Sequence, residues 1–161
     1  MKIRIRQFKD SDIEAVCRIN IDNWKHEFSS VYSKQGINDA LKRWTPVQRA
    51  LRRIKIRLKY KWNLYVAVCN GKVGGFVSYR KEKNKVRIWT IYVDRKQHRK
   101  GIGSALLKFV ERKTKAKKYT LVSASRKETL QFYEKMGYRK LRTVRKRKTG
   151  DMYVFMVKHF P

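Results

Sequence analysis

The sequence predicts a mixed α/β fold with one sheet of about seven strands and about four helices. Short β-branched and aromatic runs alternate with segments whose apolar residues recur at helical spacing, and turn residues separate them. A chain of 161 residues can bury a core, and its 42% hydrophobic content argues against disorder. Residues 1–161 are therefore expected to form a single domain without internal repeats or a linker.

Charge is the most unusual property of this chain. It has 43 Lys and Arg against 12 Asp and Glu, a formal net charge of +31. Such an excess attracts polyanions, and a small anionic cofactor carries too few charges to account for it. Nucleic acid, the ribosome and an acidic protein are the candidate partners, and a merely basic, solvated surface is the alternative.

Charges interrupt every apolar run before it reaches the length of a membrane span. The N-terminus alternates between apolar and basic residues instead of forming an apolar signal core. Cys17 and Cys69 are too few and too isolated for a disulfide framework or a metal cluster, so each is expected to be a small buried hydrophobic residue. These features predict a cytoplasmic protein with no membrane span and no metal.

The first segments of the chain predict a strand followed by a helix. Ile3 and Ile5 alternate with basic residues, which is typical of a half-buried strand. The segment Ser11-Asp-Ile-Glu14 has the spacing of a capping box and predicts the start of a helix that runs towards Trp24. An irregular, Ser-rich piece is expected to follow.

A second helix is predicted from Thr45 as its cap and Pro46 as its first residue. Its apolar face ends near Tyr60, although residues 54–62 also alternate as a strand would. The helix is the preferred interpretation. Its many Arg and Lys side chains are either solvated or in contact with nucleic acid.

The central part of the chain predicts three strands in succession. Residues 64–69 and 72–79 are separated by Asn70-Gly71, a strong signal for a two-residue hairpin turn. A polar turn then leads into residues 86–93, which are β-branched and aromatic and therefore read as a mostly buried strand.

The last third predicts a short strand at residues 119–123 and a helix opened by a second capping box, Ser125-Arg-Lys-Glu128. Gly137 is well placed to end that helix. Two strands near residues 138–144 and 152–158 are expected to close the fold, with a turn at residues 146–151 between them.

A basic loop with two glycines joins the central strand to a helix that begins near Ile102. Glycines let the backbone approach a ligand closely, and the free N–H groups and dipole of a helix N-terminus favour negative charge. Arg99 and Lys100 add positive charge, and Ser104 adds a hydroxyl donor. The loop therefore predicts a phosphate site, with a plain strand-turn-helix as the alternative.

Three signals occur together: Tyr92-Val93 ends a strand, His98-Arg-Lys-Gly-Ile-Gly103 opens a helix, and Phe132-Tyr-Glu-Lys-Met-Gly-Tyr138 lies near the end. With them the chain resembles the GNAT superfamily of acyl-CoA-dependent N-acyltransferases. That family has Gln or Arg at the position of His98. The resemblance covers essentially the whole chain and implies a mostly antiparallel sheet that splays between its fourth and fifth strands.

The resemblance also implies that acetyl-CoA binds as cosubstrate in this splay. Backbone groups of residues 91–93 would pair with the pantetheine arm, and the glycine loop would hold the pyrophosphate. Arg126 stands where many family members have an Asn, and it would reach a cofactor phosphate or point into solvent. The implied cofactor-binding residues are Ile91, Tyr92, Val93, His98, Arg99, Lys100, Gly101, Ile102, Gly103, Ser104, Arg126 and Tyr133.

The implied reaction moves the acetyl group directly to a primary amine of a protein or small molecule. Tyr133 matches the family position that donates a proton to the departing thiolate, and a phenol suits that task because it is mostly protonated at neutral pH. The alternative is that Tyr133 only packs against the cofactor. A function from another class is a basic nucleic-acid- or ribosome-binding module on the same fold, with little or no catalysis.

An amine arrives mostly as ammonium, so a base is needed on the acceptor side. The candidates are His26, Glu27 and Glu82, and Glu27 is preferred by a narrow margin. The acceptor itself cannot be identified from these residues. Three aromatic side chains are candidates for its pocket: Trp24, Phe28 and Trp89.

Overall fold

The computed structural model describes residues 2–29, 33–145 and 152–161, without the side chain of Arg43. These residues form seven strands: β1 (Ile3–Gln7), β2 (Trp62–Cys69), β3 (Lys72–Glu82), β4 (Lys85–Val93), β5 (Lys118–Ala124), β6 (Arg139–Arg145) and β7 (Met152–His159). All seven belong to one sheet, in the order β1-β2-β3-β4-β5-β7-β6. The predicted mixed α/β fold with about seven strands is confirmed.

Five α-helices lie within the described residues: α1 (Ile13–Phe28), α2 (Lys34–Leu41), α3 (Val47–Lys59), α4 (Ile102–Thr114) and α5 (Lys127–Lys135). The helix beyond the predicted four is α2. It has only eight residues, and its buried apolar side chains are Ile37 and Leu41. So short a segment carries too little periodicity to be recognised, although Ser33 caps it by accepting a hydrogen bond from the Gly36 N–H at 3.0 Å.

The helices cover the sheet on both faces and create two cores. Helices α4 and α5 cover one face, and α1 and α3 cover the other. Cys17 and Cys69 are buried thiols, as expected. The core between the sheet and helices α4 and α5 includes the fully buried side chains of Val77, Val86, Leu106 and Leu107. The core between the sheet and helices α1 and α3 includes those of Val16, Ile19, Val66 and Phe76.

The pairing of β4 with β5 positions the site. These strands are parallel and pair only between residues 85–87 and 118–120. Every other strand pair in the described sheet is antiparallel. Because the short parallel ladder stops at Arg87, the C-terminal half of β4 separates from β5 and leaves a cleft. The predicted splay between the fourth and fifth strands is therefore present.

The ambiguous segment at residues 54–62 is resolved as predicted. Helix α3 ends at Lys59, and β2 begins at Trp62. Ala50 and Ile54 are buried against α1 and the sheet. The segment up to Lys59 is helical because helical spacing places Ala50 and Ile54 on the same buried face. Its N-terminus differs by one residue from the prediction, since Pro46 occupies the cap position and Thr45 does not cap the helix.

The two predicted capping boxes are wrong. Near Ser11 the Asp12 carboxylate accepts the Lys9 N–H at 2.8 Å, so a short turn at residues 10–12 precedes α1. Near Ser125 the cap position belongs to Arg126, and α5 has no side-chain cap in the described part of the chain. In both places the cap position lies one residue after the predicted serine, at Asp12 for α1 and at Arg126 for α5. The hairpin turn at residues 70–71 is confirmed, and the turn predicted at 146–151 lies outside the described residues.

Candidate active site

The cleft exposes the backbone edge of β4. The Asp94 N–H donates to the Gly74 carbonyl of β3 at 2.8 Å. Because alternate residues of a strand direct their backbone groups to opposite sides, those of Tyr92 also face β3, whereas those of Ile91 and Val93 face the cleft. Of the three residues expected to meet the pantetheine arm, the structure therefore turns two towards the cleft.

The Val93 carbonyl already has partners from two side chains. Asn23 of α1 donates to it from Nδ2 at 2.9 Å, and His98 Nε2 lies 3.1 Å from it. His98, found where the family motif has Gln or Arg, thus contacts the end of β4 while its side chain remains exposed. This contact of Asn23 was not predicted, because a buried Asn inside a helix has no distinctive sequence pattern.

The loop after β4 is held at its start by Asp94. The Asp94 carboxylate accepts the Lys96 N–H at 3.0 Å and pairs with Arg18 at 2.9 Å. Burial acts to raise the pKa of Asp94, but Lys96 and Arg18 outweigh it and hold that pKa below its ordinary value. Asp94 is therefore a fixed anion that anchors the loop.

The loop ends in the first turn of α4, whose amides are available to an anion. The backbone is left-handed at Arg99 and Gly101, with φ of +62° and +78°. The first helical bond runs from the Ala105 N–H to the Gly101 carbonyl at 2.9 Å, and no side chain of the described residues caps the helix. The amides of residues 102–104 precede that bond and have no intrahelical acceptor. With exposed Arg99 and Lys100 beside them, they form a site suited to phosphate.

Two glycines of β3 allow the close packing around this turn. A Cβ at Gly75 would lie 2.9 Å from the Tyr92 carbonyl oxygen and 3.1 Å from Cγ2 of Ile102. A Cβ at Gly74 would lie 3.0 Å from the Gln97 side chain. A pair of glycines near the start of a strand, as at Gly74-Gly75, is a sequence signal for such an approach, although neither residue was predicted as part of the site.

On the other wall of the cleft, α5 brings Phe132 and Tyr133 to the same place. A Cβ at Gly103 would lie 3.1 Å from Cζ of Phe132. Tyr133 is buried, with its ring 5.2 Å from that of Phe132. Burial raises the pKa of Tyr133, and the neighbouring Tyr92 and Glu27 raise it further, so its hydroxyl stays protonated. A protonated phenol at this position can act as a proton donor.

Glu27, near the end of α1, lies near enough to Tyr92 and Tyr133 for its charge to raise the pKa of both phenols. The Thr129 hydroxyl of α5 donates to Glu27 Oε1 at 3.4 Å, while Oε2 is buried and has no hydrogen-bond partner among the described residues. Burial raises the pKa of Glu27, and the opposing effect of Arg126 does not cancel it. A half-buried carboxylate with an unpaired oxygen and a raised pKa is equipped to accept a proton.

The other two candidate bases are placed differently. His26 is half-buried beside Glu27, and its pKa is lowered by burial and by Arg126. Glu82 lies at the start of the β3–β4 turn, at the opposite end of β4 from Val93, where it pairs with Lys85 at 3.3 Å. The structure therefore brings Glu27 and His26, but not Glu82, to the cleft.

Arg126 connects the two helices that border the cleft. Its Nη1 donates to the His26 carbonyl at 2.7 Å. This contact was not among the two roles considered from the sequence, a cofactor phosphate or solvent, because its partner is 100 residues away.

Two of the three aromatic side chains suggested for an acceptor pocket lie together. The rings of Trp24 and Phe28 are 4.1 Å apart, and Phe28 is 6.2 Å from Tyr153 of β7. Tyr153 was not selected from the sequence. Trp89 lies elsewhere, exposed beside Trp62 with the rings 5.5 Å apart.

None of the described helices is long and apolar enough to cross a membrane. In the described ranges no three His, Cys, Asp or Glu side chains are grouped so that they could hold a metal ion.

Solved structures with the same fold cover nearly the full chain. PaiA N-acetyltransferase from Thermoplasma acidophilum, in complex with coenzyme A, has a TM-score of 0.80 at 20% identity, covering 99% of this chain and 100% of its own. An N-acetyltransferase from Staphylococcus aureus Mu50 has a TM-score of 0.77 at 18% identity, covering 99% of both chains. The ribosomal-protein-alanine N-acetyltransferase from Brucella melitensis has a TM-score of 0.76 at 16% identity, covering 98% and 99%.

No curated protein has a significant sequence match to this chain. The family model for the acetyltransferase (GNAT) domain matches residues 28–160. This match spans most of the chain and includes the loop before α4 and both walls of the cleft. The chain therefore belongs to the GNAT acetyltransferase family, as the motifs indicated, and is an acyltransferase.

Proposed function

We propose that this protein is a cytoplasmic, single-domain N-acetyltransferase that moves an acetyl group from acetyl-CoA directly to a primary amine of a protein or small molecule. One observation carries the proposal. Four features meet where β4 leaves β5: the uncapped first turn of α4, the open edge of β4, the half-buried Glu27 and the buried Tyr133. These are the parts that a direct transfer within one ternary complex requires.

The residues present fit coenzyme A. The amides of residues 102–104 and the exposed cations Arg99 and Lys100 suit a diphosphate. Backbone groups of Ile91 and the N–H of Val93 would pair with the pantetheine amides as an added strand pairs with a sheet edge, since the Val93 carbonyl is already in contact with Asn23 and His98. The coenzyme A complex of the PaiA enzyme supports this assignment.

Acetyl-CoA, when bound, supplies an acetyl thioester whose attack by an uncharged amine releases a thiolate. Tyr133 would donate its hydroxyl proton to that sulfur as general acid. Its raised pKa keeps the proton in place at neutral pH. The ordinary pKa of a thiol is lower, about 8.5, so the proton moves to the thiolate only as the C–S bond breaks, and the phenolate must then recover a proton.

Glu27 would take the proton that the amine must lose. Its raised pKa makes it a stronger base than a solvated carboxylate, and its Oε2 has no hydrogen-bond partner among the described residues. Arg126 and Thr129 hold the end of α1 and thereby fix the position of this carboxylate. Trp24, Phe28 and Tyr153 would form the wall against which the acceptor lies.

The test is to incubate the protein with acetyl-CoA and a panel of amines, peptides and ribosomal fractions, and to identify acetylated products by mass spectrometry. Tyr133→Phe is the matched variant because it removes only the hydroxyl. We expect an acetylated primary amine with the native protein and at least about a hundredfold slower turnover with the variant, at nearly unchanged affinity for acetyl-CoA. If no fraction gains an acetyl group, the basic binding module with little or no catalysis is the better account.

A further inference from the structure

An exposed cluster of aromatic and basic side chains lies outside the active site, where α3 ends above strands β2–β4. We call it the Trp89 patch, and define it by Arg57, Tyr60, Trp62, Arg80, Arg87 and Trp89. The Arg87 guanidinium lies 4.9 Å from the centroid of the Trp89 ring and that of Arg57 lies 5.7 Å from it. The Trp62 ring meets the Trp89 ring edge-on, with centroids 5.5 Å apart.

The strand register places the members of the patch side by side. Trp62 of β2 pairs with Arg80 of β3, and Arg80 pairs with Arg87 of β4. Directly paired residues share a face of the sheet, so two arginines stand opposite each other beside the indole rings. Like charges in this arrangement repel, and Glu82 reaches only the Nε of Arg80, at 3.8 Å. A bound anion would relieve this repulsion.

The surroundings add to the positive charge. No Asp or Glu occurs in the sequence between Asp39 and Glu82, while α3 carries Arg and Lys along its length. Part of the excess positive charge that a coenzyme cannot account for therefore lies in residues 40–81, which contain basic residues and no acidic ones. Lys59 and Lys61 flank the exposed Tyr60.

Two aromatic side chains of the patch are exposed, although large aromatic side chains are usually mostly buried. Trp89 is 46% exposed and Tyr60 is 69% exposed. Large aromatic side chains in contact with guanidinium groups offer flat faces for stacking, and every nucleic-acid base has a matching face. Bases are available for such stacking in single strands, whereas in a duplex they are already stacked on one another.

We propose that the Trp89 patch binds single-stranded nucleic acid. Unpaired bases stack on Trp89 and on Tyr60, and the phosphates between them pair with Arg80 and Arg87. An acidic protein would satisfy the charges but would supply no base to stack on the exposed part of the Trp89 ring. This proposal does not depend on acetyl transfer, because the patch contains neither Tyr133 nor Glu27.

The experiment measures binding of the full chain to a labelled single-stranded RNA of about 12 nucleotides, by fluorescence anisotropy over a series of salt concentrations. Two further probes have the same sequence, one as single-stranded DNA and one as a duplex. Trp89→Ala should weaken single-strand binding about tenfold to a hundredfold, and Trp89→Phe should retain most of the affinity. Arg80→Gln with Arg87→Gln should reduce the slope of log K against log salt by about 1.4.

The matched control is Arg139→Gln with Lys140→Gln, which removes the same charge from β6 at the far edge of the sheet. Circular dichroism and thermal melting verify that each variant is folded, and the arginine variants provide the test if Trp89→Ala is not. The proposal is overturned if the control weakens binding as much as the patch variants do. It is equally overturned if the duplex binds as tightly as the single strand, or if polyglutamate displaces the RNA at equal charge concentration.

Discussion

Arg126 and His26 are joined across 100 residues of sequence by a hydrogen bond of 2.7 Å, from the guanidinium Nη1 of the first to the carbonyl oxygen of the second. The contact ties the start of α5 to the end of α1. Glu27 and Thr129 form a second contact between the same two helices, at 3.4 Å. The position and the pKa of the proposed base therefore depend on Arg126.

Replacing Arg126 with Gln should shift the pH dependence of turnover. The positive charge of Arg126 lowers the pKa of Glu27 against the larger effect of burial, so its removal raises that pKa further. A base acts in its deprotonated form, so the acid limb of the kcat profile should move to higher pH. Lys127→Gln, which removes a neighbouring exposed cation, should leave the profile in place. A raised KM for acetyl-CoA with an unshifted profile would instead assign Arg126 to a cofactor phosphate.

Replacing Glu27 with Gln should lower kcat by about a hundredfold or more and abolish the acid limb of the pH profile. The amide keeps the size of the side chain and the contact with Thr129 but cannot accept the proton. The control is Glu82→Gln, since Glu82 is exposed at the far end of β4. Steady-state kinetics over a pH series measure both variants. If Glu27→Gln retained the native pH profile, Glu27 would not be the base, and His26 or a water molecule would accept the proton of the amine.

Two glycines provide a matched pair for testing the loop before α4. Gly101 and Gly71 have φ of +78° and +76°, and a Cβ would meet nothing within 4 Å at either position. Alanine at each site should therefore cost a similar strain of about 1–2 kcal/mol. Only Gly101→Ala should weaken coenzyme A binding, by about tenfold if the loop shifts to relieve that strain. Calorimetry measures the affinity, and equal affinities for the two variants would contradict the assignment of the loop.

Asp12 should contribute to stability in a pH-dependent way. Its carboxylate accepts two hydrogen bonds from Arg6, at 2.7 and 2.8 Å, and a third from the Lys9 N–H. The bonds from Arg6 hold the pKa of Asp12 below its ordinary value, against the effect of burial. Asp12→Asn should lower the free energy of unfolding by about 1–3 kcal/mol at neutral pH.

The sign of this effect follows from the lowered pKa. The contribution of Asp12 is complete above its unfolded pKa of about 3.9 and is lost as the pH falls through its folded pKa. Urea unfolding of the native protein and Asp12→Asn should therefore converge at acid pH. Asp39→Asn is the control, because Asp39 is exposed and pairs only with neighbours on its own helix and turn. A stability difference that stays constant into acid pH would contradict the prediction.

Local signals predicted the elements that local chemistry determines. The Asn70-Gly71 turn, the left-handed Gly137 that ends α5, and the amphipathic face of α3 all depend on residues within a few positions of each other. Cap positions were less accurate because Asp12 bonds to Lys9, a partner that precedes the expected helix. The short α2 was missed because eight residues carry little periodicity.

The candidate site was predictable only in part, for a related reason. The loop at residues 98–104 is contiguous in sequence and has its own signature, which the structure places at the N-terminus of α4. The splay and the proposed general acid were predicted from resemblance to a family, since no local pattern shows where β4 leaves β5. Contacts such as Asn23 with Val93, or Arg126 with His26, join residues 70 and 100 positions apart, so they are visible only once the chain is folded.

The most direct measurement is a crystal structure of the protein with coenzyme A. The account predicts diphosphate oxygens within about 3 Å of the amide nitrogens of residues 102–104. It also predicts that the pantetheine arm follows β4 and that the sulfur lies within hydrogen-bonding reach of the Tyr133 hydroxyl. A diphosphate bound elsewhere, or a sulfur out of reach of Tyr133, would contradict it.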